Sequence, residues 1–352
     1  MKKIFVSLLC AVLLLGMFSA CGTEAASSAP AASVPAAEPE ASAEEETPYQ
    51  SVDLSVGTIK GPTGVGMVKL MDDAAKGLTA NNYNFTLEAD ASEVVTKVIA
   101  GEYDIGCLPT NSAAMIYQKT GGKVKLLALN TAGVLYILQN TEKGAAITDW
   151  SELKGKTIYT LGQSANPEYV LDYVLKGHGI DPDKDVEIVF CSAADEVIAA
   201  CVSGEADFCM LPEPSVSALK AKAANFETVF DMTEGWDEVV SDGSILTQGC
   251  VVVQTAFLEE HPEAVKKFLE EYEASIQYVL DHMDTAPAML AQYEIVPSEG
   301  IAKAALPGCH LIFMAGQEMK DSIAGYYQVL FDADATAVGG KVPDDEFYAI
   351  LE

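Results

Sequence analysis

Residues 91–109 read ASEVVTKVIAGEYDIGCLP and residues 194–212 read ADEVIAACVSGEADFCMLP, and the two stretches align without a gap, 103 residues apart. Eight positions are identical, among them Gly101 with Gly204, Asp104 with Asp207 and Pro109 with Pro212. In each copy the apolar residues recur at helical spacing, as Val94, Val95, Val98 and Ile99 and as Val197, Ile198, Cys201 and Val202. A glycine stands where the periodicity stops, which suits a helix C-terminus, and a short apolar run ending at proline then suits a buried strand. Upstream, VGTIKGPTGVGMVKLMDDAAKGL and IYTLGQSANPEYVLDYVLKGHGI share an order of strand, small-residue loop, helix and glycine. Each unit therefore reads β-loop-α-β-α-β, and the agreement in element order favours duplication over chance.

Alternating β and α elements predict an α/β protein with open, mainly parallel sheets covered by helices, and two units predict two lobes. Ligands of such sheets bind beyond the carboxyl ends of the strands. Four loops fall there: Lys60-Gly61-Pro62-Thr63-Gly64, Leu108-Pro109-Thr110-Asn111, Gly162-Gln163-Ser164-Ala165-Asn166-Pro167 and Leu211-Pro212-Glu213-Pro214. Two of them open helices with Pro or Gly and a hydroxyl, offering free backbone N–H groups to a small polar ligand. Facing lobes would bring all four around one cleft. The candidates for ligand contact are Gly61, Pro62, Thr63, Thr110, Asn111, Gln163, Ser164, Asn166 and Glu213, each with a plainer role open to it as a helix entry, cap or solvated strand end. Asn130 and Thr131 interrupt an apolar run, so they mark either a bulge or a cleft wall. Tyr136, Tyr169 and Trp236 are suited to stack on a planar ligand, although core or rim is the simpler assignment.

The chain has 352 residues, 49% of them hydrophobic, and a formal charge of −31 with a pI near 4.3. That composition excludes a wholly disordered chain, and the charge repels phosphate backbones, so no nucleic-acid partner is expected. All 21 basic residues are lysines; there is no arginine. Lys2 and Lys3 precede an apolar stretch, residues 4–18, that is short for a bilayer span. The segment ending Phe18-Ser19-Ala20-Cys21 resembles a bacterial lipoprotein signal, which implies a signal peptide at 1–20 and lipidation at Cys21. Residues 21–50, rich in Ala, Ser, Pro and Glu, read as a disordered acidic tether. The remaining cysteines, Cys107, Cys191, Cys201, Cys209, Cys250 and Cys309, form no CxxC and have no histidine at metal-ligand spacing. They read as free core thiols, and no metal or cofactor is expected.

Catalysis finds little support. Gly162-Gln163-Ser164-Ala165-Asn166 approaches the nucleophile-elbow pattern but has Asn166 where the last glycine belongs. No base partner is apparent among His178, His261, His282 and His310. Asp181-Pro182-Asp183-Lys184-Asp185 resembles the opening of a calcium loop, yet Val186 occupies the obligatory glycine position. The expectation is a protein without a catalytic centre.

The lipoprotein-like signal, the acidic tether, GTIKGPTG, DIGCLPTNSAA, LLALNTAGVLYIL, ADFCMLPEPSVSAL and LTQGCVVV, in that order, resemble a solute-binding protein of an ABC importer. The group resembled is the nitrate/sulfonate/taurine and thiamine-precursor (hydroxymethylpyrimidine) type, with the type II periplasmic-binding-protein fold. The resemblance implies two lobes joined by crossover strands, here at residues 133–138 and 248–253, closing on a solute. It implies a first lobe of residues 51–138 and 247–352 and a second of residues 139–246, with the stretch from His261 returning to the first. Solute contacts pass by this resemblance to Thr63, Thr110, Asn111, Ser164, Asn166 and Glu213, and Gln248 joins them at the start of the second crossover. The implied partners are a small solute, a permease with its ATPase, and the membrane through the lipid, with the protein a monomer on the extracytoplasmic face of the cell membrane. Arginine forks usually hold carboxylates, sulfonates and phosphates, and none exists here. Glu213 suits an amine or heterocyclic N–H, which favours a neutral or cationic nitrogen heterocycle. A small anion such as a sulfonate or nitrate, a sensor working without transport, and an adhesin remain as alternatives.

Overall fold

The computed structural model describes residues 49–351, so the expected signal peptide, Cys21 and nearly all of the tether lie outside the described residues. In chain order the strands are β1 (Asp53–Ile59), β2 (Asn82–Glu88), β3 (Ile105–Pro109), β4 (Val124–Ala132), β5 (Leu135–Asn140), β6 (Thr157–Leu161), β7 (Glu187–Cys191), β8 (Phe208–Pro212), β9 (Phe226–Asp231), β10 (Thr247–Gln254) and β11 (Leu311–Ala315). They form one sheet of order β11-β4-β10-β3-β1-β2 and another of order β7-β6-β8-β5-β9. In each, three parallel strands run in the order second, first, third, and an antiparallel strand from elsewhere in the chain separates the third from the fourth. The intruders are β10 in the first sheet and β5 in the second.

The repeat is therefore real and longer than its sequence signature. Each copy continues through a further helix, Thr110–Thr120 or Ser215–Lys222, into a fourth strand. The helices Ala91–Ala100 and Ala194–Ser203 both end on a left-handed glycine, Gly101 at φ +74° and Gly204 at φ +79°, where a side chain would be strained. Ile99 and Val202 do not complete the buried stripe: they are 44% and 53% exposed. At about 100° per residue each lies off the arc centred on its buried neighbours, Val94 and Val98 or Val197 and Ile198.

The chain leaves the first sheet at Ala132 and enters the second at Leu135, so the passage is made by Gly133 and Val134. The expected crossover strand at 133–138 lies mostly inside the second sheet, because β5 pairs with β8 and β9 along its length. On the return, β10 lies wholly in the first sheet, and residues 240–246 make the passage. Gly133 tolerates nothing larger, since a Cβ there would stand 2.4 Å from Thr233 Oγ1 and 2.7 Å from Leu246 Cδ2. The helix Pro262–Asp281 packs on the first lobe, burying Val265, Phe268, Tyr272 and Ile276 in one core with Leu54, Val56 and Val251. The helix Gly316–Ala333 shares a core with residues of both lobes, from Leu129 and Val252 to Val170 and Trp236. All six described cysteines are free thiols. No described helix is long and apolar enough to cross a membrane.

Candidate functional site

The carboxyl ends of β1, β3, β6 and β8 converge on a cavity of about 470 Å³, within the roughly 300–1,000 Å³ usual for small-molecule sites. The first lobe lines it with Lys60, Gly61, Pro62, Thr63, Pro109, Asn111, Ser112, Thr131 and Gln248. The second lobe contributes Ala165, Asn166, Pro167, Pro212, Glu213, Pro214 and Ser215, and Val134 lines it from the passage between sheets. A larger depression of about 790 Å³ surrounds Trp150, whose ring is stacked between His178 and Phe230, but it belongs to the second lobe alone.

Eight of the sequence candidates meet at the cavity: Gly61, Pro62, Thr63, Asn111, Thr131, Asn166, Glu213 and Gln248. Four do not. Thr110 is 1% exposed and sits behind the wall, its Oγ1 3.4 Å from that of Thr247 and its carbonyl accepting from the Tyr327 hydroxyl at 3.0 Å. Asn130 is a buried brace whose Nδ2 donates to the Thr63 carbonyl (3.1 Å) and to the Tyr272 hydroxyl (2.8 Å). Gln163 and Ser164 turn outward to solvent; Ser164 adopts φ +54°, and its N–H donates to the Glu168 carboxylate, closing the turn on itself. Trp236 is fully buried, donating to the Ser244 carbonyl at 2.9 Å, and Tyr169 is core. Neither ring lines the cavity.

Pro62 apart, sequence reasoning missed the prolines as lining groups in their own right. Pro62, Pro109, Pro167, Pro212 and Pro214 all face the cavity, one beside nearly every candidate. They give it rigid apolar walls that carry no N–H. Three helices begin there without a side-chain cap: Thr110–Thr120, Asn166–Gly177 and Ser215–Lys222. In the first two the first-turn N–H groups are left to solvent or a ligand, whereas in the third Glu213 takes that of Ser217; all three helix ends carry partial positive charge.

Glu213 is the acid of the cavity. Its Oε2 accepts from the Ser217 N–H (3.1 Å) and its Oε1 from the Ser217 hydroxyl (3.0 Å), while Gly308 of the first lobe covers its stem. Burial pushes its carboxyl above the usual range, and the two bonds from Ser217 oppose that only in part. Lys60, exposed at the rim, is the basic residue among those lining the cavity.

The two lobes also touch on both flanks of the cavity. On one side the Tyr326 hydroxyl donates to Asn166 Oδ1 at 2.6 Å, next to the Tyr327 bond to Thr110. On the other, the Tyr136 hydroxyl donates to the Gly308 carbonyl at 2.9 Å, and His310 Nδ1 lies 2.6 Å from the Gly133 carbonyl. Tyr136 thus braces the passage instead of stacking in the cavity.

A two-sheet α/β body with intruding antiparallel strands and a polar-rimmed cavity between its halves defines the type II periplasmic-binding-protein fold. The chain belongs to the NMT1/THI5-like family, whose model matches residues 82–286, more than half its length. Its structure is similar to that of an ABC transporter protein from Parabacteroides distasonis, with a TM-score of 0.71 and 20% identity, covering 85% of this chain and 99% of that one. It is also similar to the periplasmic aliphatic sulphonate binding protein SsuA of Escherichia coli, with a TM-score of 0.66 and 14% identity over 85% and 94% of the two chains. In sequence it is 28% identical over 134 residues to YtlA of Bacillus subtilis (strain 168), a match that spans 38% of each protein.

Proposed function

We propose that the protein is the solute-binding component of an ABC importer, capturing a small nitrogen heterocycle between its lobes and presenting it to a membrane permease. The observation that carries this reading is the cavity: about 470 Å³, walled by five proline rings, with polar groups contributed by both lobes. Flat apolar walls suit a planar ring, and the volume is generous for nitrate. Glu213 accepts an N–H of the solute, while the uncapped helix ends and Gln248 donate to its acceptor atoms. Family membership and the likeness to proteins described as an ABC transporter and a sulphonate binding protein support the importer role.

The first lobe is taken as residues 51–132 and 247–351 and the second as 135–239, with the two passages between them as hinges. Closure stabilised by solute contacts is then the signal the permease reads. The protein acts as a monomer, held at the outer face of the cell membrane through Cys21, and binds without catalysis. A small anion is the second reading, favoured by the two uncapped helix N-termini, Thr110–Thr120 and Asn166–Gly177.

Thermal unfolding against millimolar solutes separates the two. A ligand that binds only the folded state raises the midpoint by mass action. A shift with pyrimidines or other N-heterocycles is expected. A shift confined to taurine or nitrate would replace the heterocycle by an anion, and no shift with any solute would remove the receptor reading.

A further inference from the structure

Gln248 is placed in the cavity by a defect in its own strand. Along β10, Thr247 pairs with Ala132 and Gly249 with Thr131, so Gln248 is the extra residue of a bulge against β4. Towards β3 the ladder begins only at Gly249, opposite Pro109. A bulge bends the strand and re-aims the extra side chain. The next position must then be glycine, because a Cβ on Gly249 would lie 2.5 Å from Asn130 Oδ1 and 2.7 Å from Thr131 Oγ1. Those two groups are themselves tied together, Thr131 Oγ1 donating to Asn130 Oδ1 at 3.0 Å. Buried Asn130 and Thr131 thus form the seat on which the bulge rests.

The amide so placed is unsatisfied. Among the described residues that line the cavity, Gln248 is the one with a buried side-chain polar atom, Nε2, that has no hydrogen-bond partner. Leaving such a donor unpaired costs about 1–3 kcal/mol, a cost a folded protein carries where a ligand removes it. Across the cavity, Glu213 offers an acceptor from the other lobe.

Resting on the solute-binding reading above, we propose that Gln248 is the specificity-determining donor of the site: it bonds an acceptor atom of the solute while Glu213 takes an N–H of the same molecule. The retained class is then a neutral heterocycle carrying both a carbonyl or unprotonated ring nitrogen and an N–H. A ring with an N–H alone engages one lobe and leaves Gln248 unpaired.

The probes are 2-pyridone, which has both groups, and pyrrole, which has only the N–H, titrated calorimetrically into the full protein and into Q248M and Q248N. Wild type should bind 2-pyridone at least fivefold tighter than pyrrole, and Q248M should erase that preference while melting no lower than wild type without solute. Q248N, which keeps the amide, should retain part of the preference and so guards against a purely steric effect of Met. A wild-type preference that Q248M leaves unchanged would overturn the role of Gln248 and spare the receptor reading. Binding of neither heterocycle by wild type, with taurine or nitrate binding instead, would overturn the heterocycle class and the donor–acceptor pairing with it.

Discussion

The two lobes are copies of one plan that fill the same space differently. Strand registers fix the equivalences: Val56 pairs with Ile105 as Ile158 pairs with Phe208, and Ile59 pairs with Glu88 as Leu161 pairs with Cys191. Gly57 therefore corresponds to Tyr159, and Tyr103 to Ala206. In the first lobe the Tyr103 ring occupies the place a Gly57 side chain would take, since a Cβ there would be 2.2 Å from its Cδ2. In the second lobe the tyrosine is carried on β6 instead of just ahead of the third strand, and Tyr159 packs against the cluster that includes Ala206. The polar partners follow the ring. Tyr103 donates to the Glu88 carboxylate, which also accepts from Lys97 Nζ at 2.6 Å; the equivalents of Glu88 and Lys97 in the second lobe are Cys191 and Ala200. Duplicated backbones thus tolerate exchange of whole contact sets, provided volume and polarity change together.

The largest expected effect comes from breaking one half of that exchange. Y103A empties a buried site and removes one of the two donors to Glu88, leaving it Lys97, at a cost of about 3–5 kcal/mol. G57A alone overpacks the ring, at about 1–3 kcal/mol. The double variant G57Y/Y103A, which gives the first lobe the arrangement of the second, should recover a clear part of the Y103A loss in urea unfolding. Simple addition of the two single costs would show that the tyrosines do not fill one shared space.

A smaller effect separates the acids. Lys97 holds the Glu88 carboxyl below the usual range, whereas burial holds that of Glu213 above it. Glu88 therefore adds stability above the ordinary carboxylate pKa and loses it as pH falls. Glu213 favours folding below that value and costs stability as pH rises through its own raised pKa. E213Q should accordingly raise the melting temperature by a degree or two at pH 7 and leave it nearly unchanged at pH 4, while weakening solute binding. Hydrogen exchange at pH 4 should report the matching loss around Glu88 in the first lobe. An E213Q protein no more stable than wild type at pH 7 would mean that Ser217 already compensates the buried charge.

What could be read in the sequence was whatever the duplication repeats or backbone chemistry demands. The helix–glycine–strand–proline unit marked both lobes, because only glycine suits the left-handed positions at 101 and 204 and because the strands are buried on both faces. The four loops were legible because they follow those strands. Side-chain direction within a loop was not legible. Thr110 and Asn111 are adjacent, yet one is buried behind the wall and the other lines the cavity, a difference set by Tyr327 from a helix more than 200 residues away. Asn130 was ambiguous for the same reason, its partners being Thr63 and Tyr272. The fourth strand of each copy escaped because the residues leading into it, TNSAAMIYQKTGGKV and PSVSALKAKAANFE, share almost no pattern.

The smallest expected effect lies at one end of the repeated helix. Asp90 caps Ala91–Ala100 by accepting from the Ser92 N–H at 2.7 Å, and its equivalent before Ala194–Ser203 is Ala193, which has no side chain to do so. Glu196 partly makes up for this, its carboxylate accepting from the Ser192 N–H at 2.9 Å. That bond reaches back to a residue ahead of the helix and leaves the first-turn N–H groups without a side-chain acceptor. A193D should therefore stabilise the second lobe by about 0.5–1 kcal/mol, and D90A should destabilise the first by a similar amount. Thermal unfolding with both single variants and the pair measures this, and additivity is expected because the sites lie in different lobes. A D90A loss without an A193D gain would show that Glu196 already serves as the cap, by a route the first copy does not use.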